Sequence, residues 1–212
     1  MIYYIIPARK GSKGFPGKNR KLLPFTLESV PNEQQSCTIV STDDEIIVDI
    51  LRNCDIKVHD RSPCVSGDTA NTRDLLIEIS EDFNMAPEDE IVMMYLTYPE
   101  RSSKDVKDIY KFFKDTNSSS LLCAEKAEIH PYRAYYALEN NKGKKVVEND
   151  LYRRQDYPEC FMSSYFLAIV KVEYLPLLDK NLYHSQTTFY KLDHTIDVDG
   201  ERDLANFLKR RK

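Results

Sequence analysis

Apolar runs and segments of helical periodicity alternate along most of the chain. Short runs rich in β-branched and aromatic residues predict buried strands, at residues 2–6, 37–40, 56–58, 90–96, 118–124, 166–170 and 195–199. Helices are predicted over residues 43–53, 70–81, 103–115 and 200–208, with shorter ones starting near Phe25 and at Glu173. Strands that alternate with helices predict an α/β fold, a Rossmann-like three-layer αβα sandwich with a mostly parallel sheet.

The composition fits a single domain over residues 1–212, with 42% hydrophobic and 30% charged residues. The net charge of −4 argues against a broad nucleic-acid-binding face, so no nucleic-acid partner is expected. No apolar run approaches the length of a membrane span, and the five scattered cysteines contain no Cys-x-x-Cys pair. We therefore expect a cytoplasmic protein with reduced thiols and no membrane partner.

The loop after the first predicted strand contrasts with this mildly acidic background. Residues 9–21 contain six basic side chains, three glycines and no acidic residue. Glycine lets main-chain N–H groups turn toward an anion, and lysine and arginine add charge-assisted hydrogen bonds. The loop therefore predicts a phosphate-binding site, although neither Gly-x-x-x-x-Gly-Lys-[Ser/Thr] nor Gly-x-Gly-x-x-Gly is present. A polar surface loop without a ligand is the alternative.

Two carboxylates, Asp197 and Asp199, lie two residues apart in the last predicted strand. Residues i and i+2 of a strand point to the same face. Such a pair suits Mg²⁺ whose remaining ligands are phosphate oxygens. The alternative is that Asp199 caps the following helix and that Asp197 ends an ordinary strand.

Residues 6–19, Ile-Pro-Ala-Arg-Lys-Gly-Ser-Lys-Gly-Phe-Pro-Gly-Lys-Asn, closely resemble the N-terminal motif of the CMP-sialic acid synthetases, or acylneuraminate cytidylyltransferases. Residues 61–72 resemble the segment that holds the base and ribose in that family. Residues 94–101, 130–133 and 153–159 resemble further family motifs, and residues 196–199, Ile-Asp-Val-Asp, resemble its metal motif. The resemblance covers most of the chain.

This resemblance implies transfer of CMP from CTP to a sialic-acid-like 2-keto sugar acid (a nonulosonate), with release of pyrophosphate and dependence on Mg²⁺ or Mn²⁺. The catalytic residues implied are Arg9, Lys18 and Asp199, and the implied metal ligands are Asp197 and Asp199. The implied nucleotide-binding residues are Ala8, Arg9, Gly11, Ser12, Lys13, Lys18, Asn19, Asp68, Thr69, Ala70 and Thr72. The implied sugar-binding residues are Tyr95, Thr97, Arg101, Arg133, Arg154 and Gln155.

The chain departs from the family in two sugar-binding motifs. The central-strand motif Leu-Gln-Pro-Thr-Ser-Pro-Leu-Arg becomes Met-Tyr-Leu-Thr-Tyr-Pro-Glu-Arg at residues 94–101, so Tyr95 replaces a glutamine that contacts sugar. Ser163-Ser164-Tyr165 replaces a Pro-Asn-Gly turn. A pocket that loses polar partners selects hydroxyl-rich substrates less well. We therefore expect a deoxy or differently acylated ulosonic acid rather than N-acetylneuraminate.

A homodimer is expected, because residues 125–165 are rich in tyrosine and arginine and the resembling family pairs through this region. Arg133 and Arg154 are the candidates to hold the carboxylate of the sugar across the interface of such a dimer. Two alternatives remain: a CMP-3-deoxy-manno-octulosonate synthetase-like enzyme, whose own motifs differ from these, and a nucleotide-binding relative without catalysis. The sugar acid and any general base stay unidentified.

Overall fold

A computed structural model of the chain describes residues 1–11, 15–67, 70–193 and 195–211. The strands are β1 (Ile2–Pro7), β2 (Thr38–Thr42), β3 (Lys57–Asp60), β4 (Glu90–Met93), β5 (Ser120–Lys126), β6 (Tyr135–Ala137), β7 (Gly143–Lys145), β8 (Phe161–Lys171) and β9 (Thr188–Leu192). The α-helices are α1 (Lys18–Ser29), α2 (Glu45–Leu51), α3 (Pro63–Ser66), α4 (Thr72–Asp82), α5 (Ser103–Asp115) and α6 (Glu201–Arg210). Short 3₁₀ helices lie at Asn32–Cys37, Pro131–Arg133, Glu139–Asn141, Arg154–Asp156 and Val172–Leu177.

A seven-stranded sheet in the order β3-β2-β1-β4-β8-β5-β9 forms the centre of the molecule. The pairs β1–β2, β2–β3, β1–β4 and β5–β9 are parallel, whereas β8 runs antiparallel to both β4 and β5. The predicted mostly parallel sheet is confirmed. Because β4 and β5 both oppose β8, their carboxyl ends lie at the same edge of the sheet as the carboxyl end of β1.

Two hydrophobic cores lie on opposite faces of this sheet. Successive strand residues point to opposite faces, so Ile6 packs in one core with side chains of α1, α2 and α5, while Ile5 packs in the other with side chains of α3 and α4. Helices therefore cover both faces, as the three-layer prediction required. Burial on both faces also explains why the strands are almost continuously apolar rather than alternating.

The first helix begins earlier than expected. The sequence predicted a loop up to Pro24, but α1 begins at Lys18 and contains Pro24. Leu22 and Leu23 are fully buried in the core, and this burial favours helix through the proline. Pro24 itself is exposed, so the carbonyl that loses its helical partner lies on the solvent side.

The predicted last strand is wrong: residues 195–199 belong to no strand of the described sheet. Their main-chain N–H groups bond outside any ladder, with Thr195 and Ile196 donating to the carboxylates of Glu125 and Glu100. Val198 donates to the carbonyl of Thr97 at 2.8 Å. The two aspartates nevertheless share a side as expected, since Val198 between them is buried whereas Asp197 and Asp199 are both accessible to solvent.

The segment between β5 and β8 leaves the main sheet. Within it, β6 and β7 form a separate antiparallel two-stranded sheet. We call residues 127–160 the excursion. Among the described residues, no helix is both long enough and apolar enough to cross a membrane.

Candidate functional site

A cleft of about 270 Å³ lies at the carboxyl ends of β1 and β4, where parallel sheets usually bind ligands. Seven of the predicted site residues line it: Arg9, Lys18, Asn19, Ala70, Thr72, Tyr95 and Thr97. They come from three separate stretches of the chain that the sheet topology brings together. Ser12, Lys13, Asp68 and Thr69 lie outside the described residues.

The loop that follows β1 is fixed to the core at several points. Phe15 is buried at 1% exposure, and the side-chain amide of Asn19 donates to the carbonyl of Arg9 at 2.8 Å. Ala8 is fully buried, its N–H donates to Ser41 and its carbonyl accepts from the Thr42 hydroxyl. We therefore assign Ala8 to the scaffold of the loop rather than to ligand contact.

A second cavity of about 280 Å³ lies around the N-terminus of α1, and Arg9, Lys18 and Asn19 line both cavities. Gly11, at φ 87°, lines the second cavity and needs the backbone freedom of glycine. Helix N-termini attract anions, because their N–H groups and the helix dipole are positive there. The two cavities thus form one cleft around a positive helix end.

The basic side chains of this region have different partners. Arg20 makes a bidentate ion pair with Asp44, at 2.7 and 3.0 Å, and this hydrogen bonding holds the pKa of Asp44 below its ordinary value. Lys18 is mostly buried, and its Nζ lies 3.3 Å from a carboxylate oxygen of Asp199. The Lys18–Asp199 pair is the contact that joins the basic loop to the acidic segment.

The acidic pair is linked to the cleft through Lys18, which lines both cavities and contacts Asp199. Asp197 accepts a hydrogen bond from the Tyr98 hydroxyl at 3.2 Å. Partial burial raises the pKa of Asp197 above its ordinary value, and the negative charge of Asp199 raises it further. The capping alternative for Asp199 is wrong: Gly200 is the N-cap residue of α6, and the carboxylate of Asp203 accepts from the N–H groups of Asp199 and Gly200.

No group of three or more metal-ligating side chains occurs among the described residues. Two carboxylates beside a phosphate-type loop fit Mg²⁺, which proteins commonly hold with one or two carboxylates while substrate phosphates and water complete the octahedron. Asp197 and Asp199 therefore fit that ion as partial ligands, with the other positions left to substrate and water.

Tyr95 lies in the cleft where sugar contact was expected. Its hydroxyl lies 2.8 Å from the hydroxyl of Thr72, and burial raises the pKa of Tyr95. Its ring centroid is 5.0 Å from that of Tyr165 at an interplanar angle of 54°. The two departures from the family motifs thus meet in space: Tyr95 lines the cleft, and Tyr165 packs against the Tyr95 ring. We call this pair the aromatic wall.

Arg101 is not in the cleft, which corrects its assignment to sugar binding. It is 3% exposed, and its guanidinium donates to the carbonyls of Phe166 and of Tyr95. Complete burial lowers its pKa to about 10. A buried guanidinium that bonds main-chain carbonyls of the β4 loop and of β8 acts as a structural tie between these elements.

Arg133, Arg154 and Gln155 come together, but in a different cavity. They line about 350 Å³ within the excursion, and none of the described residues that line this cavity lines the first cleft. His130 helps to shape it, donating from Nε2 to the carbonyl of Pro158 at 2.9 Å and stacking near Tyr132 and Tyr157. The described chain therefore does not unite the two halves of the predicted sugar site.

Arg61 lines the first cleft and was missed as a site residue. Its Nε is buried without a hydrogen-bond partner among the described residues, and burial lowers the pKa of the guanidinium. The signal was available, because Arg61 begins the segment that resembles the nucleotide-binding motif. Beside it, the side chain of Asn71 caps α4 by accepting from the N–H of Asp74 at 3.0 Å.

A parallel α/β sheet with a basic loop and an acidic pair at one edge is typical of nucleotidyltransferases. The chain belongs to the cytidylyltransferase family, because the model of that family matches residues 3–199. Among its relatives, an N-acylneuraminate cytidylyltransferase of Streptococcus agalactiae is 28% identical over 96% of this chain but only 52% of its own length. The chain thus spans about half the length of that relative.

Two Campylobacter proteins are also similar. A post-translational flagellin modification protein B of Campylobacter coli is 27% identical over 100% of this chain and 96% of its own length. A pseudaminic acid cytidylyltransferase of Campylobacter jejuni is 31% identical over 65% of this chain and 64% of its own length. Among solved structures, a CMP:2-keto-3-deoxy-manno-octonic acid synthetase complexed with CTP matches with a TM-score of 0.67 at 13% identity, over 100% of this chain and 99% of its own. That likeness confirms the fold.

The structural role of Arg101 predicts a loss of stability on conservative substitution. Arg101→Lys keeps the charge but not the planar fork, so we expect the free energy of unfolding to fall by about 2–4 kcal/mol. Denaturant unfolding measures this. Arg52→Lys is the control, because Arg52 is exposed and its pair with Asp49 should change stability by less than about 0.5 kcal/mol. Equal stability of both variants would contradict the structural role.

Proposed function

We propose that this protein transfers CMP from CTP to a nonulosonate, a nine-carbon 2-keto sugar acid, and releases pyrophosphate. The observation that supports this most directly is the Lys18–Asp199 pair in a chain of the cytidylyltransferase family, because Lys18 lines the cleft and Asp199 carries one of the carboxylates proposed as metal ligands. The names of the Streptococcus and Campylobacter jejuni relatives support the sugar-acid class.

In the proposed reaction the anomeric hydroxyl of the sugar attacks the α-phosphorus of CTP. A bond forms between that oxygen and phosphorus, and the bond from the α-phosphorus to the bridging oxygen breaks as pyrophosphate leaves. Arg9 and Lys18 line both cavities of the cleft, so they are positioned to stabilise negative charge on the phosphates and on the leaving group. We also assign Ser12 and Lys13 to phosphate binding, because they belong to the segment that resembles the N-terminal motif of the family.

Asp197 and Asp199 would hold Mg²⁺ or Mn²⁺ in this proposal. The bound ion would supply charge neutralisation at the phosphate oxygens. Its ligands come from a segment that is fixed at three main-chain N–H groups, which favours a preorganised site. Lys18 would exchange its contact with Asp199 for contact with phosphate when both ligands bind.

The base and ribose would lie against Arg61, Ala70 and Thr72, with Asp68 and Thr69 added by resemblance. Arg61 offers a buried guanidinium edge that suits a polar acceptor of the nucleotide. Because Thr72 contacts Tyr95, the proposed nucleotide site ends where the proposed sugar site begins.

The aromatic wall of Tyr95 and Tyr165 favours a sugar acid with fewer hydroxyl groups than N-acetylneuraminate. A ring cannot pair several hydroxyls, and burying an unpaired hydroxyl costs free energy. A diacylamino-dideoxy nonulosonate of the pseudaminic type fits such a wall better. Arg133, Arg154 and Gln155 would contribute to carboxylate binding only if the excursion of a second copy reaches the cleft.

The test of this function is pyrophosphate release from CTP with a panel of acceptors: N-acetylneuraminate, pseudaminic acid, and 3-deoxy-manno-octulosonate. We expect the highest kcat/KM with pseudaminic acid, by about tenfold to a hundredfold, since one hydroxyl or methyl difference rarely discriminates more strongly in an apolar pocket. If N-acetylneuraminate gave the highest kcat/KM, the assignment of Tyr95 and Tyr165 to the sugar pocket would be contradicted. No release with any acceptor would favour a nucleotide-binding relative without catalysis.

The proposed metal role predicts the behaviour of Asp199→Asn. Turnover should fall by about 10²-fold or more, because one ligand of a charge-neutralising ion loses its charge. The fold should be unaffected, since the Asp199 side chain is 81% exposed. Glu201→Gln is the matched control: it removes an exposed neighbouring acid that lies 3.9 Å from Lys21. Steady-state kinetics at varied Mg²⁺ measures the effect, and equal turnover of both variants would remove Asp199 from catalysis.

The proposed homodimer predicts a particle of about twice 24.7 kDa by light scattering. Several large apolar side chains of the excursion and the start of β8 are exposed: Ile129, Tyr135, Tyr136, Leu138, Val146, Val147, Leu151, Tyr152, Met162 and Tyr165. The double variant Tyr136→Glu/Tyr152→Glu should be monomeric, because two charges would be buried in the interface. Leu177→Glu, at an exposed site outside the excursion, should stay dimeric. A wild-type particle of monomer mass at assay concentration would contradict the dimer.

A further inference from the structure

The segment that carries the acidic pair is held by the loop that follows β4. Val198 donates its N–H to the carbonyl of Thr97 at 2.8 Å. Ile196 donates its N–H to the carboxylate of Glu100, and Asp197 accepts from the hydroxyl of Tyr98. Three consecutive residues of one segment are thus fixed by a four-residue stretch of another.

Two members of this stretch, Thr97 and Tyr98, hydrogen-bond the carboxylate of Asp197 through their side chains, and Tyr98 is the one that the resembling motif lacks. Its side chain is 4% exposed, and its ring packs edge-on against Phe166 with centroids 5.7 Å apart. A tyrosine ring held by packing has few rotational freedoms left, so its hydroxyl has a fixed position. The hydroxyl donates to Oδ2 of Asp197 at 3.2 Å.

We propose that Tyr98 is a positioning residue for the metal-binding carboxylates. This inference rests on the proposed function, because it assigns a ligand role to Asp197. The hydrogen bond restrains rotation of the Asp197 carboxylate and orders it before the ion binds. Partners that orient ligating carboxylates typically contribute about tenfold to a hundredfold in metal affinity.

The sequence supports a particular role for this side chain. The resembling motif has serine at the position of Tyr98 and leucine at the position of Glu100. Serine is too short to place a hydroxyl where the tyrosine places its own, and leucine cannot accept the N–H of Ile196. Both restraints on the acidic segment are therefore features of this chain rather than of the motif.

The test compares Tyr98→Phe with Tyr110→Phe. Both variants keep a ring and remove one hydroxyl that donates to a carboxylate, but Tyr110 donates to Glu90 at 2.6 Å, at the opposite end of β4. Electron paramagnetic resonance measures the concentration of free Mn²⁺ in a titration with CTP present and without sugar acid. The same titration without protein gives the Mn²⁺ bound by CTP alone, and the difference is the Mn²⁺ bound by the protein. Thermal unfolding without metal reports on the fold of each variant.

We expect the apparent Kd for Mn²⁺ to rise about tenfold or more in Tyr98→Phe and to stay unchanged in Tyr110→Phe. Turnover of Tyr98→Phe should recover toward wild type at high Mn²⁺, because positioning is lost rather than the ligand itself. A wild-type Kd in Tyr98→Phe would overturn the inference while leaving the proposed function intact. A raised KM for the sugar acid with unchanged Mn²⁺ binding would also overturn it, by making Tyr98 a substrate contact.

A different result of the same titration would contradict the proposed metal site itself. Wild-type protein that binds Mn²⁺ no better than Asp199→Asn would overturn both the metal site and the role of Tyr98. The three proteins, wild type, Tyr98→Phe and Asp199→Asn, therefore separate the two proposals in one titration.

Discussion

The parallel pairing of β1 with β4 is the constraint on which the site depends. Their register runs from Ile2 opposite Glu90 to Ile5 opposite Met93, and the N–H of Glu90 donates to the carbonyl of Met1 at 2.9 Å. Because the two strands end at nearly the same level, the loop after β1 and the loop after β4 leave the sheet side by side. The basic loop follows β1. Tyr95 of the aromatic wall and the residues that restrain the acidic segment follow β4.

The charges of the cleft form a balanced set. Arg20 is matched by Asp44, and Lys18 lies against Asp199, so the chain keeps cations near the helix end without leaving all of them uncompensated. If an anionic nucleotide and a cation entered together, Lys18 would exchange the carboxylate of Asp199 for a phosphate, and Asp199 would exchange Lys18 for the cation. Each side chain would keep a partner of opposite charge. Such an exchange limits the desolvation cost, which is the main obstacle to binding highly charged ligands in a partly buried site.

Much of the fold was predictable, because buried strands and amphipathic helices have strong local patterns. The exceptions have long-range causes. Pro24 lies within a helix because burial of Leu22 and Leu23 outweighs a local signal, and residues 195–199 look like a strand but bond to Glu100 and Glu125 instead. The strand β9 was not predicted from Thr-Phe-Tyr-Lys-Leu, a pattern that is only half apolar and fits a half-buried edge.

For the candidate site, too, local sequence motifs were informative and long-range packing was not predictable. Two motifs, at residues 6–19 and 94–101, implied that Arg9, Lys18, Tyr95 and Thr97 are site residues, and the sheet brings them together in one cleft. A motif match, however, carries no information on whether a side chain is buried. It therefore could not show that Arg101 bonds main-chain carbonyls inside the core instead of facing a ligand. Arg61 shows the reverse case: it begins a segment that resembles the nucleotide-binding motif, but that resemblance did not single it out, and its place in the cleft came from the fold.

The antiparallel direction of β8 has a consequence for how such a chain can diverge. The excursion leaves at the end of β5 and returns at the start of β8, so both of its ends lie on the side of the sheet where β4 ends, with β8 beside β4 and β5 one strand further away. A segment whose two ends are neighbours can change in length or sequence at small entropic cost and without shifting the register of the sheet. The architecture thus separates the cleft, which is built around the central strands, from a module that can be exchanged without altering the sheet.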